Sequence, residues 1–283
     1  MFPDRSESCP LQILLISDIH ANLEALEACL KAAPAHDYVF NLGDVVGYGA
    51  SPNEVTAISR DLGKVLVRGN HDKACTGVTG VQDFNATAAS AALWTMHNLT
   101  PDNLEWLRKL PAGPILVTEL PMAEPSGNGQ PAAETAQRQK LAVPVECVHG
   151  SPIDEDEYLL DLKDAVGSLV HQGALITFFG HSHIQGAFSG NGAEWMGLRP
   201  DYKTDDDRET FVMGLRKDYR YLINPGSIGQ PRDNDWRAAF AVYDSEAGNI
   251  TFHRVPYDIQ TTQKKIREAK LPERLAIRLQ IGR

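Results

Sequence analysis

Five of the nine histidines fall in short segments that also hold carboxylates and an amide suited to gripping a metal ion. These are SDIH (Ser17 to His20), LGD (Leu42 to Asp44), GNHD (Gly69 to Asp72), VHG (Val148 to Gly150) and GHSH (Gly180 to His183), each placed where an apolar run ends. A D-x-H or H-x-H triplet sets two side chains on one side of an extended strand end, able to hold one ion or straddle two. Any one triplet arises easily by chance; what carries weight is their conjunction in glycine-flanked turns. Oxygen ligands with imidazole nitrogens and no thiolate suit Mn²⁺, Fe or Zn²⁺ and point to catalysis rather than to a structural zinc site. Two cations about 3.5 to 4 Å apart need a shared carboxylate, lower a bound water's pKa toward about 7 and clamp phosphoryl oxygens. Asp44 is the candidate bridge. His36, His97, His171 and His253 stand outside these segments and read as ordinary hydrogen-bonded residues.

The elements that must position these segments follow from hydrophobic spacing. Gln12 to Ser17 is a continuous apolar strand, Asn22 to Ala33 a helix with one apolar face, Tyr38 to Leu42 a strand, Asn53 to Leu62 a helix opened by Ser51-Pro52, and Lys64 to Val67 a third strand. This alternation predicts right-handed crossovers and a parallel sheet, whose carboxyl ends would gather the segments at one crevice. Helices follow over Phe84 to Asn98 and Asp102 to Leu110. Short, closely spaced strands in the second half, near 144–148, 174–179, 185–188, 221–223, 238–243 and 249–254, predict an antiparallel second sheet. The polar, turn-rich stretch near 121–142 reads as a mobile surface loop. The charged stretch 196–214 reads as a solvated loop, with a lid as the alternative. The segment near 258–280 turns helical and basic. No internal repeat or strong linker divides the chain, so residues 1–283 read as a single domain.

Composition bounds the function. The 283 residues are 42% hydrophobic and 23% charged, enough for a full core, and the net charge of −10 disfavours nucleic-acid and anionic-membrane partners. Four scattered cysteines form no C-x-x-C pair, and no apolar run is long enough to span a bilayer, so a cytoplasmic location is expected.

With its five ligand blocks in order, the sequence resembles the calcineurin-like metallophosphoesterases, whose signature runs D-x-H, G-D, G-N-H-[DE], H and G-H-x-H. Within that family SDIHANLEAL, GDVVGYGASPNEV and NPGSIGQPRD (Asn224 to Asp233) resemble the bacterial branch of YfcE-like and diadenosine tetraphosphatase-related phosphodiesterases. The resemblance implies an α/β fold, a four-layer α/β/β/α sandwich of two mixed sheets flanked by helices with the metals at strand C-terminal ends. It further implies that Asp18, His20 and His183 hold a first divalent metal and Asn70, His149 and His181 a second, with Asp44 bridging. His71 would be the general acid, supported by Asp72. The implied activity is hydrolysis of a phosphodiester or phosphomonoester of a small nucleotide-like metabolite. A non-catalytic scaffold and a two-metal nuclease are the alternatives, the first set against the intact ligand set and the second against the acidic charge.

Two departures stand out. Ala21 replaces the glycine usual after D-x-H, which would narrow the backbone's approach to a phosphate. The Asp-Arg pair that serine/threonine protein phosphatases carry after G-D is absent, which discounts phosphoprotein substrates. Another group must then meet the substrate's charge. Arg232 is the first choice, against an ion pair with Asp233 or Asp235; Arg68 and Asn22 are weaker, and Asn22 could instead cap its helix.

Overall fold

The computed structural model describes residues 11–121 and 138–283. The first half follows the expected alternation: β1 (Gln12–Ile16), α1 (Leu23–Ala32), β2 (Tyr38–Asn41), α2 (Pro52–Leu62) and β3 (Val65–Leu66), with β1 parallel to β2 and β2 to β3. Three helices follow, α3 (Asn70–Cys75), α4 (Ala86–Asn98) and α5 (Pro101–Arg108). The chain then forms β4 (Ile115–Pro121), β5 (Arg138–Cys147), α6 (Leu162–His171), β6 (Ile176–Phe178), β7 (Gly186–Gly190), β8 (Trp195–Leu198), β9 (Glu209–Gly214) and β10 (Arg220–Asn224). It ends with β11 (Ala238–Asp244), β12 (Asn249–Val255), α7 (Ile259–Glu268), α8 (Glu273–Ile277) and a 3-10 turn, Arg278–Ile281.

These strands make two six-stranded mixed sheets, ordered β3-β2-β1-β11-β12-β9 and β4-β5-β6-β10-β7-β8. The expectation of an antiparallel second sheet is corrected on two counts. β5, β6 and β10 run parallel, because α6 crosses over between β5 and β6. β11 and β12 leave the second half altogether and extend the first sheet antiparallel to β1. The helix responsible, α6, has a local signature in Asp161 and Asp164, whose carboxylates form a reciprocal capping box at its start.

Period-two alternation divides each strand between two environments. In β1, Ile13 and Leu15 face the other sheet and join Phe40, Val145, Phe178, Ile223, Tyr243 and Phe252 between the layers. Leu14 and Ile16 point the other way, against Leu26 and Cys29 of α1. On the far side of the second sheet, Phe179 and Leu222 pack on Ala165 and Leu169 of α6. Helices therefore cover both outer faces.

Several loop expectations change. Of the stretch 121–142, Pro121 ends β4 and residues 138–142 begin β5, paired antiparallel, while 122–137 lies outside the described residues. The stretch 196–214 is strand at both ends, giving β8 to one sheet and β9 to the other as edges, with a connection over 199–208. The basic C-terminal segment packs on its own domain: Ile266, Leu271, Leu275 and Leu279 meet Ala88 and Ala91 of α4, and Thr262 bonds Asn22 at the start of α1. Cys29, Cys75 and Cys147 are buried free thiols. No described helix is long and apolar enough to cross a membrane.

The inter-sheet layer makes a stability test. Phe178, fully buried with ring centroids 6.5 Å from Phe40 and 5.6 Å from Tyr243, should lose about 3–5 kcal/mol on substitution by alanine in chemical denaturation. Leu116→Ala, at a position 53% exposed, should stay within about 0.5 kcal/mol. Equal costs would refute this assignment of the core.

Candidate metal centre

The candidate ligands lie just beyond the C-terminal ends of strands that run parallel within their sheets. Asp18 and His20 follow β1, Asp44 follows β2, and Asn70 and His71 follow β3; His149 follows β5, and His181 and His183 follow β6. The turn 224–234 follows β10, parallel to β6. The two sheets thus deliver their loops to one crevice, as the topology of open α/β sheets requires.

The D-x-H segment is not an extended strand end. Asp18, His20 and Ala21 all have positive φ, as do Asp44, Tyr48, His181 and His183. Such backbone costs about 1–3 kcal/mol per non-glycine residue and persists only where surrounding contacts over-determine it. Those contacts are visible. The first two loops are zipped together by Asp18 N–H to Gly43 O (2.9 Å), His20 N–H to Asp44 O (3.0 Å) and Ala21 N–H to Val45 O (3.0 Å). Ser227 Oγ and Gly229 N–H donate to Asp18 O, and the Asp18 carboxylate accepts from His181 N–H, tying in both sheets. The Ala21 methyl lies in the core beneath α1, so it does not narrow the crevice as its replacement of glycine suggested.

Two groups of donors result, with ligand atoms within 4.8 Å of one another in each: Asp18, His20, Asp44 and His183, and Asp44, His149 and His181. Asp44 belongs to both. Its Oδ1 accepts the His71 N–H at 2.8 Å, while Oδ2 has no hydrogen bond among the described residues and lies 3.3 Å from His149 Nε2 and 3.5 Å from His20 Nε2. Gly69 makes this approach feasible, since a Cβ there would sit 2.0 Å from Asp44 Oδ1.

Imidazole orientation shows what the cluster suits. His20 Nδ1 and His183 Nδ1 face the carbonyls of Val46 (3.2 Å) and Gln230 (2.6 Å), which can only accept, so both rings carry hydrogen on Nδ1. Their Nε2 lone pairs then meet at 3.0 Å. Burial holds both rings well below the usual imidazole range, so no proton separates the pair at neutral pH. A cation is the group that this arrangement fits. His149 is oriented likewise by Leu42 O at 2.7 Å, and its Nε2 stands 3.1 Å from His181 Nδ1. Asn70 Oδ1 is buried without a hydrogen-bond partner among the described residues, a further oxygen free to coordinate.

Charge balance agrees. Burial raises Asp18 to about 7 and, with the nearby Asp44, raises Asp72 likewise. Burial alone would lower His149, but Asp44 raises it to about 10, so a proton on His149 neutralises Asp44 when no cation does. Burial and the charge on His149 push His181 down to about 2.

The other predicted residues separate. His71 sits between Tyr48 (centroids 4.2 Å) and Phe84 (4.7 Å) with its edge toward His20, and its buried Nδ1 is unpartnered among the described residues. Asp72 does not reach that ring; its oxygens accept the N–H groups of Val46 (3.2 Å) and Gly69 (3.0 Å), bracing the loop on either side. Arg232 is half-buried beside the cluster, its Nη2 near Tyr48 Oη (3.3 Å) and Gln230 Oε1 (3.2 Å) and its Nε unpartnered. The expected competitors for it are taken, Asp233 by Arg254 and Asp235 by Arg237.

Arg68 and Asn22 have partners within the fold. Arg68 makes a two-pronged pair with Glu155, which also receives Lys73, so its charge is spent within the fold. Asn22 caps α1, accepting from Ala25 N–H and Thr262 Oγ1 and donating to Gly229 O, which is the alternative reading of this residue. Two aromatics escaped the sequence reading. Tyr48 packs on His20 at 4.6 Å and Tyr158 lies over His181 at 3.7 Å. Tyr48 stood in the VVGYG motif without an assigned role; nothing around Tyr158 signals one.

Residues 11–248 match the family profile described as the calcineurin-like phosphoesterase superfamily domain. The chain is 36% identical over 273 residues to an uncharacterized protein of Methanocaldococcus jannaschii, spanning 96% of this chain and 98% of the relative. It is similar to a crystal structure of a metallophosphoesterase from Sphaerobacter thermophilus, with a TM-score of 0.75 at 36% identity over 96% of this chain and 99% of that one. A hypothetical protein of Pyrococcus horikoshii OT3 shares the fold, with a TM-score of 0.68 at 18% identity over 96% and 98% of the two chains.

Asp44→Asn should lower bound metal in elemental analysis because one carboxylate serves both donor groups; full retention would refute the bridge. The pH dependence also has a sign. Groups raised to about 7 and about 10 hold protons in the metal-free site. Cation uptake should therefore expel protons and tighten as pH rises through about 7. Calorimetry in buffers of different ionisation enthalpy measures this release, and none would contradict the charge balance.

Proposed function

Because the chain belongs to the calcineurin-like phosphoesterase superfamily, we propose that it is a phosphoesterase using two divalent metal ions, Mn, Fe or Zn, to hydrolyse a phosphodiester or phosphomonoester of a small nucleotide-like metabolite. The observation that carries this reading is Asp44, one carboxylate common to two donor clusters, in one of which the His20 and His183 lone pairs meet with no proton between them. Asp18, His20 and His183 would hold one ion, Asn70, His149 and His181 the other, and Asp44 both. Cations held there supply Lewis-acid stabilisation of a phosphoryl group and lower the pKa of a bound water.

The remaining steps belong to side chains. Arg232 has no carboxylate partner among the described residues and offers a planar fork for phosphate oxygens, with Tyr48 and Gln230 setting its direction. His71 serves as the acid that protonates the leaving oxygen. Burial pushes it down to about 4 in the free site, against the pull of Asp44. An anionic ester beside the ring raises it again, since negative charge favours the imidazolium. Asp72 contributes by holding the Gly69 to Asp72 turn against the Asp44 loop. The complete donor set speaks against a scaffold that has lost its ligands, and the net charge of −10 against a nuclease.

Metal-loaded protein should hydrolyse bis-p-nitrophenyl phosphate and lose that activity on chelation; no hydrolysis of any phosphate mono- or diester would end the enzyme reading. His71→Ala should keep its metal and slow poor leaving groups most. An equal loss across leaving groups would remove His71 from the acid role. Arg232→Ala should lower kcat/KM by about ten- to a hundredfold, the worth of a charge-assisted hydrogen bond.

A further inference from the structure

Arg232 is steered by oxygens that carry no charge. Its Nη2 donates to Gln230 Oε1 (3.2 Å) and Tyr48 Oη (3.3 Å), and its guanidinium carbon lies 5.8 Å from the centre of the Tyr48 ring. Arg68, by contrast, is gripped by Glu155 at two points. A carboxylate partner neutralises a guanidinium before a ligand arrives, whereas a phenol or amide oxygen fixes its direction and leaves its charge. Both of these contacts fall on one nitrogen, while Nε is buried and unpartnered among the described residues. A long side chain held at one corner needs a further brace.

Tyr158 is placed to supply it. Its ring packs on the His181 imidazole with centroids 3.7 Å apart and planes 30° apart, which sets it at the metal centre itself. From there its hydroxyl is within hydrogen-bonding reach of Arg232 and within electrostatic range of Asp44 and Asp18. The Tyr48 hydroxyl interacts with both Arg232 and Tyr158, so two phenols bracket one cation. Burial raises both phenols above their usual range, which keeps them neutral. Tyr158 remains 45% exposed, so core packing alone does not account for its position.

The loop that carries Tyr158 is built to hold still. Ser151 N–H donates to Asp154 O (2.8 Å), and Ser151 Oγ accepts from the N–H groups of Ile153 (3.1 Å) and Asp154 (3.0 Å). Gly150 lets the chain fold back on itself, since a Cβ there would lie 2.6 Å from Glu155 O. Glu155 is pinned by Arg68 (2.7 Å) and by Lys73 of α3 (3.1 Å), and Leu159 is buried against Ala165 and Leu169 of α6. Two ion pairs and a buried leucine thus fix a half-exposed tyrosine, the kind of support that holds a functional group in one orientation. Arg68 serves the site at one remove, through this loop.

Resting on the phosphoesterase reading above, we propose that Tyr158 is a positioning residue for Arg232: together with Tyr48, it holds the guanidinium toward a phosphoryl group at the metal centre. It acts through Arg232 and not through the metal ligands.

Titration calorimetry of the metal-loaded protein with inorganic phosphate, run as a double-mutant cycle, tests the proposal. Tyr158→Phe keeps the ring on His181 and removes only the oxygen. It should weaken phosphate binding about three- to tenfold, the worth of one neutral hydrogen bond, with metal content unchanged. In an Arg232→Ala background the same substitution should cost less than about twofold, because the group it positions is gone. No effect of Tyr158→Phe in the wild-type protein, an equal loss in both backgrounds, or a loss of metal overturns the assignment, as does metal-loaded wild-type protein that binds no phosphate. Because binding rather than turnover is read, the two proposals fail separately. A coupled loss in a protein that hydrolyses no ester upholds the role of Tyr158 and refutes the enzyme reading; hydrolysis with equal losses in both backgrounds does the reverse.

Discussion

Asp44 carries two functions on one carboxylate, and the rest of the site is arranged around keeping them apart. Oδ1 is held by the His71 N–H at the start of α3, which fixes the side chain. Oδ2 is thereby left buried and without a hydrogen bond among the described residues, between His20 on one side and His149 on the other. An uncompensated buried oxygen of this kind costs several kcal/mol, roughly, unless a cation or proton meets it. Burial alone would lower His149, but the charge of Asp44 raises it to about 10, so His149 is the group suited to hold such a proton. A site with this electrostatic cost is one suited to divalent cations, whose entry would release protons.

Strain is distributed in the same place. Of nine described non-glycine residues with left-handed backbone, five are candidate ligands: Asp18, His20, Asp44, His181 and His183. What holds them is backbone pairing between loops, the first loop to the second through three N–H to carbonyl bonds, and the first to the 224–234 turn through Asp18 O. The hydrophobic layer between the sheets fixes the strands from which these loops emerge. Packing energy from Ile13, Phe40, Phe178 and Tyr243 is in this sense what permits unfavourable dihedrals a few residues further along.

Charge is divided by position. Beside the Gly69 to Asp72 turn, Lys73 is paired with Glu155 and Asp156. Arg232, on the turn after β10, has no carboxylate partner among the described residues and stands beside the cluster.

The ligand types, their order and their position after apolar strands were legible in the sequence, because metal-binding chemistry restricts residue choice and strand–helix alternation restricts where loops converge. So were the parallel strands β1 to β3 and the cap at Asn22 as one of two readings. Not legible were the parallel β5-β6-β10 core, which depends on α6 crossing over, and the return of β11 and β12 to the first sheet, since strand partners are chosen by long-range packing and not by local pattern. The free state of Arg232 against the paired state of Arg68 is likewise invisible locally. Arg68 adjoins the GNHD segment and Arg232 stands in NPGSIGQPRD, but Glu155 lies 87 residues beyond Arg68 and reaches it only through the fold, while Asp233, the immediate neighbour of Arg232, is drawn away by Arg254. Residue chemistry and spacing thus determined which atoms could serve. Tertiary structure decided which of them stayed unpaired, because a salt bridge or a hydrogen bond is settled by distance in space.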